Sequence, residues 1–178
     1  MKTISLLDRK FGMSVGRSQI HNSIDHIAER INCDYAGKEI LFVAVLNGAF
    51  LFAADLVRKV KPLCRITFVR VASYKGDKSS GIIKELIGLK EDLNDRHIIL
   101  VEDIVDTGFT LGHIMTQIKS TYKPASIAVA TLLFKPQSYR KNIVIDYVGI
   151  EIPPDFVVGC GLDYNGYGRN LEDIYTII

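Results

Sequence analysis

Unbroken apolar runs and helical apolar stripes alternate along the chain of 178 residues. Four isoleucines between residues 20 and 31 recur at spacings of four, three and four, which predicts a helix over 17–32. The run at 40–46 is apolar throughout, as in a parallel strand covered on both faces, and a helix over 50–60 is predicted after it. Such an order predicts an α/β fold with a mainly parallel sheet flanked by helices.

The rest of the chain continues this alternation. Further strands are predicted over 63–72, 82–89, 97–101, 126–134, 143–150 and 156–160. A helix with one apolar face is predicted over 109–121, and the polar, glycine- and serine-containing segment 73–81 is typical of a mobile loop. Ligands of such sheets bind at the carboxyl ends of the strands. We therefore expect the site in the segments that follow residues 46, 101, 134 and 158.

The apolar segment 40–57 imitates a membrane span. Asn47, Gly48 and Asp55 interrupt it, and a span needs about 20 predominantly apolar residues. We interpret the segment as a buried strand, a tight turn at Asn47 and Gly48, and a packed helix. No association with a membrane is expected.

Length and composition predict a single globular domain over 1–178. Lys and Arg number 22 against 20 Asp and Glu, and this net charge of +2 argues against a dedicated nucleic-acid binder. Cys33, Cys64 and Cys160 are scattered and lack the spacing of a metal site or a disulfide framework. The N-terminal apolar run is too short for a signal peptide. We expect a reducing compartment, the cytoplasm.

The segment VEDIVDTGFT, residues 101–110, joins a predicted strand to a predicted helix. Gly108 permits the turn, and the first N–H groups of the helix have no partners within it. The hydroxyls of Thr107 and Thr110 can add hydrogen bonds. Residues 106–110 therefore have the ingredients of a phosphate cradle.

Three carboxylates precede or open this turn: Glu102, Asp103 and Asp106. Carboxylates repel phosphate, and they suit neutral hydroxyls, a bound Mg²⁺ or proton transfer. A ligand with a phosphate at one end and a diol beside it fits, which describes a ribose 5-phosphate. The alternative is that these residues serve only as helix caps and partners of the helix dipole.

The longer string VEDIVDTGFTL resembles the phosphoribosyl diphosphate motif of the type I phosphoribosyltransferases. That motif has an apolar run, two acidic residues, two aliphatic residues and then D-T/S-G-x-T. From about residue 10 to the C-terminus the chain resembles the hypoxanthine/guanine phosphoribosyltransferases in particular. The resemblance implies a twisted, mainly parallel sheet with a small hood formed from the termini, whose C-terminal, base-binding part spans about 150–178.

The resemblance also implies a reaction in purine salvage. A 6-oxopurine base, hypoxanthine and also guanine, would join phosphoribosyl diphosphate to give IMP or GMP and diphosphate. Mg²⁺ would be the cofactor, and the chain would form a homodimer or homotetramer. The preference among hypoxanthine, guanine and xanthine stays open.

Roles in the central motif follow from the resemblance. The 5-phosphate would lie on Asp106, Thr107, Gly108, Phe109 and Thr110. Glu102 and Asp103 would hold the ribose hydroxyls, with Mg²⁺ nearby. Asp106 would be the general acid/base near purine N7, because attack from N9 requires loss of a proton.

Two further segments resemble the parts of this family that contact diphosphate. VLNGAF, residues 45–50, is similar to a loop in which the peptide after Leu is commonly cis and turns N–H groups toward diphosphate. Asn47 stands where a basic residue is frequent, and Gly48 follows it. Ser73 and Tyr74 resemble a pair in a lid, here about 73–82, that closes over diphosphate and excludes water.

The base and metal residues are also implied by the resemblance. Lys135 would donate to the purine 6-oxo group, Phe156 would stack on the purine, and Val157 would offer backbone groups to the base edge. Asp163 would ligate Mg²⁺ on the diphosphate side. Arg169 would contact diphosphate, for which a forked guanidinium is suited.

Two other functions compete with this interpretation. A non-catalytic regulator on the same fold could sense phosphoribosyl diphosphate and bind RNA through the modest basic cluster Arg58, Lys59, Lys61 and Arg65. An aspartic protease also carries D-T-G, but it needs two such aspartates on an all-β scaffold. A dinucleotide fingerprint at residues 159–164 fails, because Tyr164 occupies the position of its last glycine.

Overall fold

A computed structural model of the chain describes residues 2–73, 83–87 and 89–178, with side chains for 2–71 and 89–178. The elements are, in chain order, β1 (Thr3–Leu6), β2 (Arg9–Val15), α1 (Arg17–Asp34), β3 (Ile40–Leu46), α2 (Phe50–Val57), β4 (Cys64–Ser73), β5 (Ile83–Ile87), β6 (His97–Val105), α3 (Phe109–Thr121), β7 (Ser126–Phe134), β8 (Tyr147–Glu151), β9 (Val157–Val158) and β10 (Ile174–Ile177). They form two sheets.

The larger sheet has the strand order β5-β4-β3-β6-β7-β8. Its last five strands pair in parallel, and only β5 is antiparallel to its neighbour β4. Ile40 of β3 is aligned with Cys64 of β4 and with His97 of β6, so these strands start level with one another. The predicted α/β class with a mainly parallel sheet is confirmed.

Helices cover both faces of this sheet, and β3 shows why its sequence is apolar throughout. Ile40, Phe42 and Ala44 belong to the core on the side of α1 and α2. The alternate positions, Leu41 and Val43, belong to the core under α3. Successive strand side chains point to opposite faces, so a strand covered on both faces has no polar position. Each large apolar side chain buried here contributes about 1.5–3 kcal/mol.

The smaller sheet, which we call the hood, has the order β1-β2-β10-β9 and is antiparallel. Its core is formed by Phe11, Val158 and Tyr175. The hood therefore combines the two ends of the chain, as the resemblance implied. Apolar patterning predicted none of β1, β2 and β10, because these strands are short and part of each stays accessible to solvent.

Several predicted boundaries were wrong by a few residues. β6 continues to Val105 and does not end at 101, because Glu102, Ile104 and Val105 keep pairing with β7. α2 ends at Val57 and not at residue 60. The strand predicted over 143–150 occupies 147–151, and the one predicted over 156–160 shrinks to 157–158.

The segment 40–57 forms β3, a turn and α2, as predicted. Among the described residues, no helix has the length and apolar content needed to cross a bilayer. The D-T-G at 106–108 leads into α3 within an α/β scaffold, which rules out the all-β arrangement of an aspartic protease.

Candidate active site

The carboxyl end of β6 opens into a cavity of about 290 Å³, lined by residues 102–111. The strand ends at Val105 and α3 begins at Phe109. Gly108 caps the helix in the left-handed region, with φ at +79°, where a side chain would be strained. The first N–H groups of a helix lack partners within it, so this end of α3 presents donors and a positive dipole end. The structure thus forms the predicted strand–turn–helix context of a phosphate cradle.

The segment after β7 packs against this turn, which sequence analysis did not predict. A Cβ at Gly108 would lie 2.4 Å from Cε2 of Tyr139. The Arg140 N–H donates to the Thr107 carbonyl at 3.2 Å, and the Lys141 ammonium lies 4.3 Å from the centre of the Phe109 ring. Nothing in the apolar pattern marks Tyr139, because its role depends on contact with a turn some thirty positions earlier.

Lys135 and Asp106 form an ion pair beside the cavity. The Lys135 Nζ lies 3.0 Å from Oδ2 of Asp106. The lysine is only 6% exposed, whereas the aspartate side chain is 45% exposed. The Lys135 N–H also donates to the Val105 carbonyl, so the ends of β6 and β7 are tied together. A buried cationic donor and an accessible carboxylate therefore lie side by side.

Glu102 and Asp103 lie on the last part of β6, where Glu102 is buried and Asp103 is half-buried. Burial raises the pKa of Asp103 to about 6, although its Oδ1 accepts a hydrogen bond from the Ile104 N–H at 2.9 Å. Burial, and then the charge of Asp103, raise the pKa of Glu102 well above its usual range. Arg169 lowers and Asp163 raises the pKa of Asp103 by smaller amounts. Buried carboxylates of this kind gain from a cation or hydroxyl donors that compensate for lost water.

Three segments meet at Gly48. The Leu46–Asn47 peptide is cis, as the resemblance implied. A Cβ at Gly48 would lie 1.5 Å from Oδ2 of Asp103, so the turn after β3 contacts the Asp103 carboxylate directly. A Cβ at Gly161 would lie 2.0 Å from the carbonyl oxygen of Gly48. The loop after β3, the end of β6 and the loop between β9 and β10, residues 159–173, which we call the hood loop, therefore converge.

Asp163 and Arg169 lie on this hood loop and contact each other. Nη2 of Arg169 is 2.5 Å from Oδ1 of Asp163, and its Nη1 donates to the Gly161 carbonyl at 2.6 Å. The Gly166 N–H donates to Oδ2 of Asp163 at 2.6 Å. The guanidinium thus holds the loop in the shape that brings Gly161 onto Gly48.

Two of the three residues predicted to bind the base, Phe156 and Val157, lie at the edge of the hood. Phe156 is 45% exposed, and Val157 is buried in β9, where it pairs with Thr176. Of the predicted lid, Ser73 is the last residue of β4, and Tyr74 through residue 82 lie outside the described residues.

Gly161 was not among the predicted site residues. In the sequence, the glycines at 159 and 161 match only the first part of a dinucleotide fingerprint, which Tyr164 breaks. Paired glycines before an acidic residue could have indicated a close approach between backbones. The identity of the other backbone, Gly48, comes only from the fold.

Residues 16–165 match the family model described as the phosphoribosyl transferase domain. The chain belongs to the phosphoribosyltransferase family. The sheet and the strand–turn–helix at the end of β6 lie within the matched residues, and the family that the motif at 101–110 predicted is confirmed.

Individual phosphoribosyltransferases resemble the chain over nearly its whole length. The hypoxanthine-guanine phosphoribosyltransferase of Mycobacterium tuberculosis is 40% identical over 166 residues, which cover 89% of this chain and 82% of that protein. The one from Aquifex aeolicus is 36% identical over 171 residues, 95% of this chain and 96% of that protein. A crystal structure of the Bacillus anthracis enzyme of the same name superimposes with a TM-score of 0.84 at 32% identity, covering 97% of this chain and 100% of that one.

Proposed function

We propose that the chain transfers the phosphoribosyl group of phosphoribosyl diphosphate to N9 of a 6-oxopurine, hypoxanthine or guanine. The observation that carries this proposal is the contact between Lys135 and Asp106. O6 and N7 lie on the same edge of a 6-oxopurine. An ammonium beside a carboxylate offers a donor for O6 and an acceptor for the proton at N7. Adenine has an amino group at position 6, and this would face the ammonium with a second donor.

The residues around the cavity would bind the 5-phosphate, the ribose and the diphosphate of the other substrate. The 5-phosphate would bind the N–H groups and hydroxyls of Asp106–Thr110, and Glu102 and Asp103 would accept from the ribose hydroxyls. Diphosphate would contact the backbone at Asn47 and Gly48, the lid residues Ser73 and Tyr74, and Arg169. As N9 bonds to C1 of the ribose, the bond from C1 to diphosphate breaks. Asp106 takes the proton that the purine loses. Holding both substrates in line supplies much of the rate.

Carboxylates of the site fit a Mg²⁺ ion. Among the described residues, no three His, Cys, Asp or Glu side chains form a metal-binding group. Mg²⁺ beside phosphates is commonly held by one or two carboxylates together with phosphate oxygens and water. Asp103 and Asp163 are close enough for the charge of one to raise the pKa of the other. We propose Asp163 on the diphosphate side and Glu102 and Asp103 on the ribose side as its residues. The ion would neutralise charge on the departing diphosphate.

We propose a homodimer or homotetramer that works in the cytoplasm, as the resemblance implies. Phe50 at the start of α2 is 39% exposed and offers apolar surface for such an assembly.

The basic cluster that favoured an RNA-binding regulator is largely neutralised in the fold. Arg58 pairs with Asp55, and Lys59 pairs with Asp25. The Arg65 Nε lies 3.2 Å from Oε1 of Glu39. Paired surface charges do not form the basic face that an RNA backbone requires.

A direct assay tests the proposal. The chain is mixed with phosphoribosyl diphosphate, Mg²⁺ and each of hypoxanthine, guanine, xanthine and adenine in turn. We expect nucleotide and diphosphate from hypoxanthine and guanine, no product from adenine, and no turnover when a chelator removes Mg²⁺. Turnover of adenine alone, or of none of the bases, would contradict the proposal.

Replacing Lys135 with alanine should weaken binding of the purine more than binding of phosphoribosyl diphosphate. Since a hydrogen bond to a charged group is worth about 1.5–3 kcal/mol, we expect the KM for hypoxanthine to rise by about 10- to 150-fold. Separate titrations of the two substrates provide the measurement. Lys119→Ala, on the exposed face of α3, is the matched control. Equal losses for both substrates would remove Lys135 from base recognition.

A further inference from the structure

Three aromatic rings in the hood form one cluster. The Phe156 ring centre lies 6.4 Å from that of Phe11 and 6.0 Å from that of Tyr164. The centres of Phe11 and Tyr164 are 6.1 Å apart. Phe11 is fully buried, whereas Phe156 is 45% exposed. The Phe156 ring thus has two aromatic neighbours on its protein side and keeps open surface for a ligand.

The geometry within the cluster sets the orientation of Phe156. The Tyr164 and Phe156 planes meet at 80°, an edge contact, and the Phe11 and Phe156 planes are tilted by 46°. Edge and tilted contacts between aromatic rings are favourable and directional. A ring held by two such neighbours loses little freedom when a flat base stacks on it, because it is already oriented.

The N-terminal hairpin β1–β2 supplies the supports of the cluster. Phe11 lies on β2, opposite Ile4 of β1 and Ile177 of β10. The Ile177 N–H donates to the Phe156 carbonyl at 3.0 Å, so the backbone of Phe156 is tied to the same sheet. Asp8, in the turn of the hairpin, accepts a hydrogen bond from the Tyr164 hydroxyl at 2.8 Å.

We infer that this hairpin, residues 3–15, positions the purine-stacking ring. Phe11 supports the ring from the core of the hood, and Asp8 acts through Tyr164, whose ring it orients. These three are positioning residues, because none is argued to touch the substrate. Phe11 and Asp8 precede the family match at 16–165, so the hairpin contributes to purine affinity from outside the matched domain. The inference rests on the proposed function, since it assumes that Phe156 receives the base.

The test compares Tyr164→Phe and Asp8→Ala with the matched control Tyr167→Phe. Tyr167 lies in the same hood loop, is 59% exposed, and its hydroxyl makes no hydrogen bond within the part of the chain that is described. We expect each test variant to raise the KM for hypoxanthine about threefold to tenfold, the equivalent of one hydrogen bond. The KM for phosphoribosyl diphosphate and kcat should stay within about twofold of wild type, which a general loss of structure would not allow.

Two more variants extend the test: the double variant of Asp8→Ala with Tyr164→Phe, and Phe11→Leu. Since Asp8 and Tyr164 act through one hydrogen bond, their double variant should raise the KM for hypoxanthine no further than either single variant. Phe11→Leu keeps an apolar side chain beneath Phe156 but removes the ring, and the same selective rise is expected. A melting curve of each variant shows whether it folds. If Phe11→Leu does not fold, Tyr164→Phe and Asp8→Ala still test the inference.

An unchanged KM for hypoxanthine in Tyr164→Phe and Asp8→Ala overturns the inference while the proposed function stands. Equal rises in both KM values, or a change in Tyr167→Phe of the same size, also overturn it. A wild-type chain that turns over no base shows instead that the proposed function fails, and the inference fails with it.

Discussion

Replacing Asp106 with asparagine is expected to lower kcat by about 100- to 10,000-fold, the usual contribution of a general base. Asparagine has nearly the same shape but cannot accept the proton that the purine loses. Because the side chain is 45% exposed at the edge of the cavity, the substitution disturbs no packed core. Both KM values should change little, since the backbone N–H groups of the cradle are unaffected. Steady-state kinetics with hypoxanthine and phosphoribosyl diphosphate provide the measurement.

Lys135→Ala is the matched control for this prediction, because it removes the same ion pair and leaves the carboxylate in place. We expect Asp106→Asn to act on kcat and Lys135→Ala to act mainly on the KM for the purine. Equal losses of kcat in both variants would assign the effect to the ion pair. A kcat unaffected by Asp106→Asn would remove Asp106 from the acid/base role.

Replacing Gly161 with alanine is expected to damage both stability and binding of phosphoribosyl diphosphate. The new Cβ would lie 2.0 Å from the carbonyl oxygen of Gly48, and the residue has φ at +97°. A strained backbone and an overpacked contact together should destabilise the fold by about 2–4 kcal/mol. Because the hood loop must move away from the turn after β3, the KM for phosphoribosyl diphosphate should rise by about tenfold or more. Thermal unfolding and steady-state kinetics measure the two effects.

Gly37→Ala separates backbone strain from the clash. Gly37 also has a positive φ, +76°, but a Cβ there meets nothing within 4 Å. The control should lose stability through strain alone and keep the KM for phosphoribosyl diphosphate. If both variants behave alike, the approach of Gly161 to Gly48 has no part in substrate binding.

The larger sheet could be predicted well from the sequence. The apolar run at 40–46 matches β3 residue for residue, and the isoleucine stripe marks α1. These elements are covered on one or both faces, so burial selects apolar residues with a strong period. The strand predicted over 97–101 is shorter than β6 because Glu102 and Asp103 interrupt the apolar pattern. The backbone nevertheless keeps its pairing with β7. In that strand, acidic residues at the candidate site replace the apolar residues that the pattern requires.

The roles of the site residues were predicted on two grounds, the local residues and the family resemblance. The phosphate cradle and the use of its neighbouring carboxylates could be argued from the residues of 101–110 themselves. The roles of Lys135, Phe156, Asp163 and Arg169 came from resemblance, because a lysine or phenylalanine near a strand end carries no chemical signal alone. The structure brings Lys135 to Asp106 and Arg169 to Asp163, and the roles of these residues stay proposals.

By itself the sequence determined the α/β class, the strand–turn–helix at 101–110 and the family. Each depends on residues that are close together along the chain, so periodicity and spacing predict it. Only the tertiary structure decided that Gly161 meets Gly48, that Tyr139 closes over Gly108, and that Phe11 supports Phe156. The physical reason is that such contacts join backbones and rings distant along the chain. Their energy depends on distance and orientation in space, which local sequence patterns do not encode.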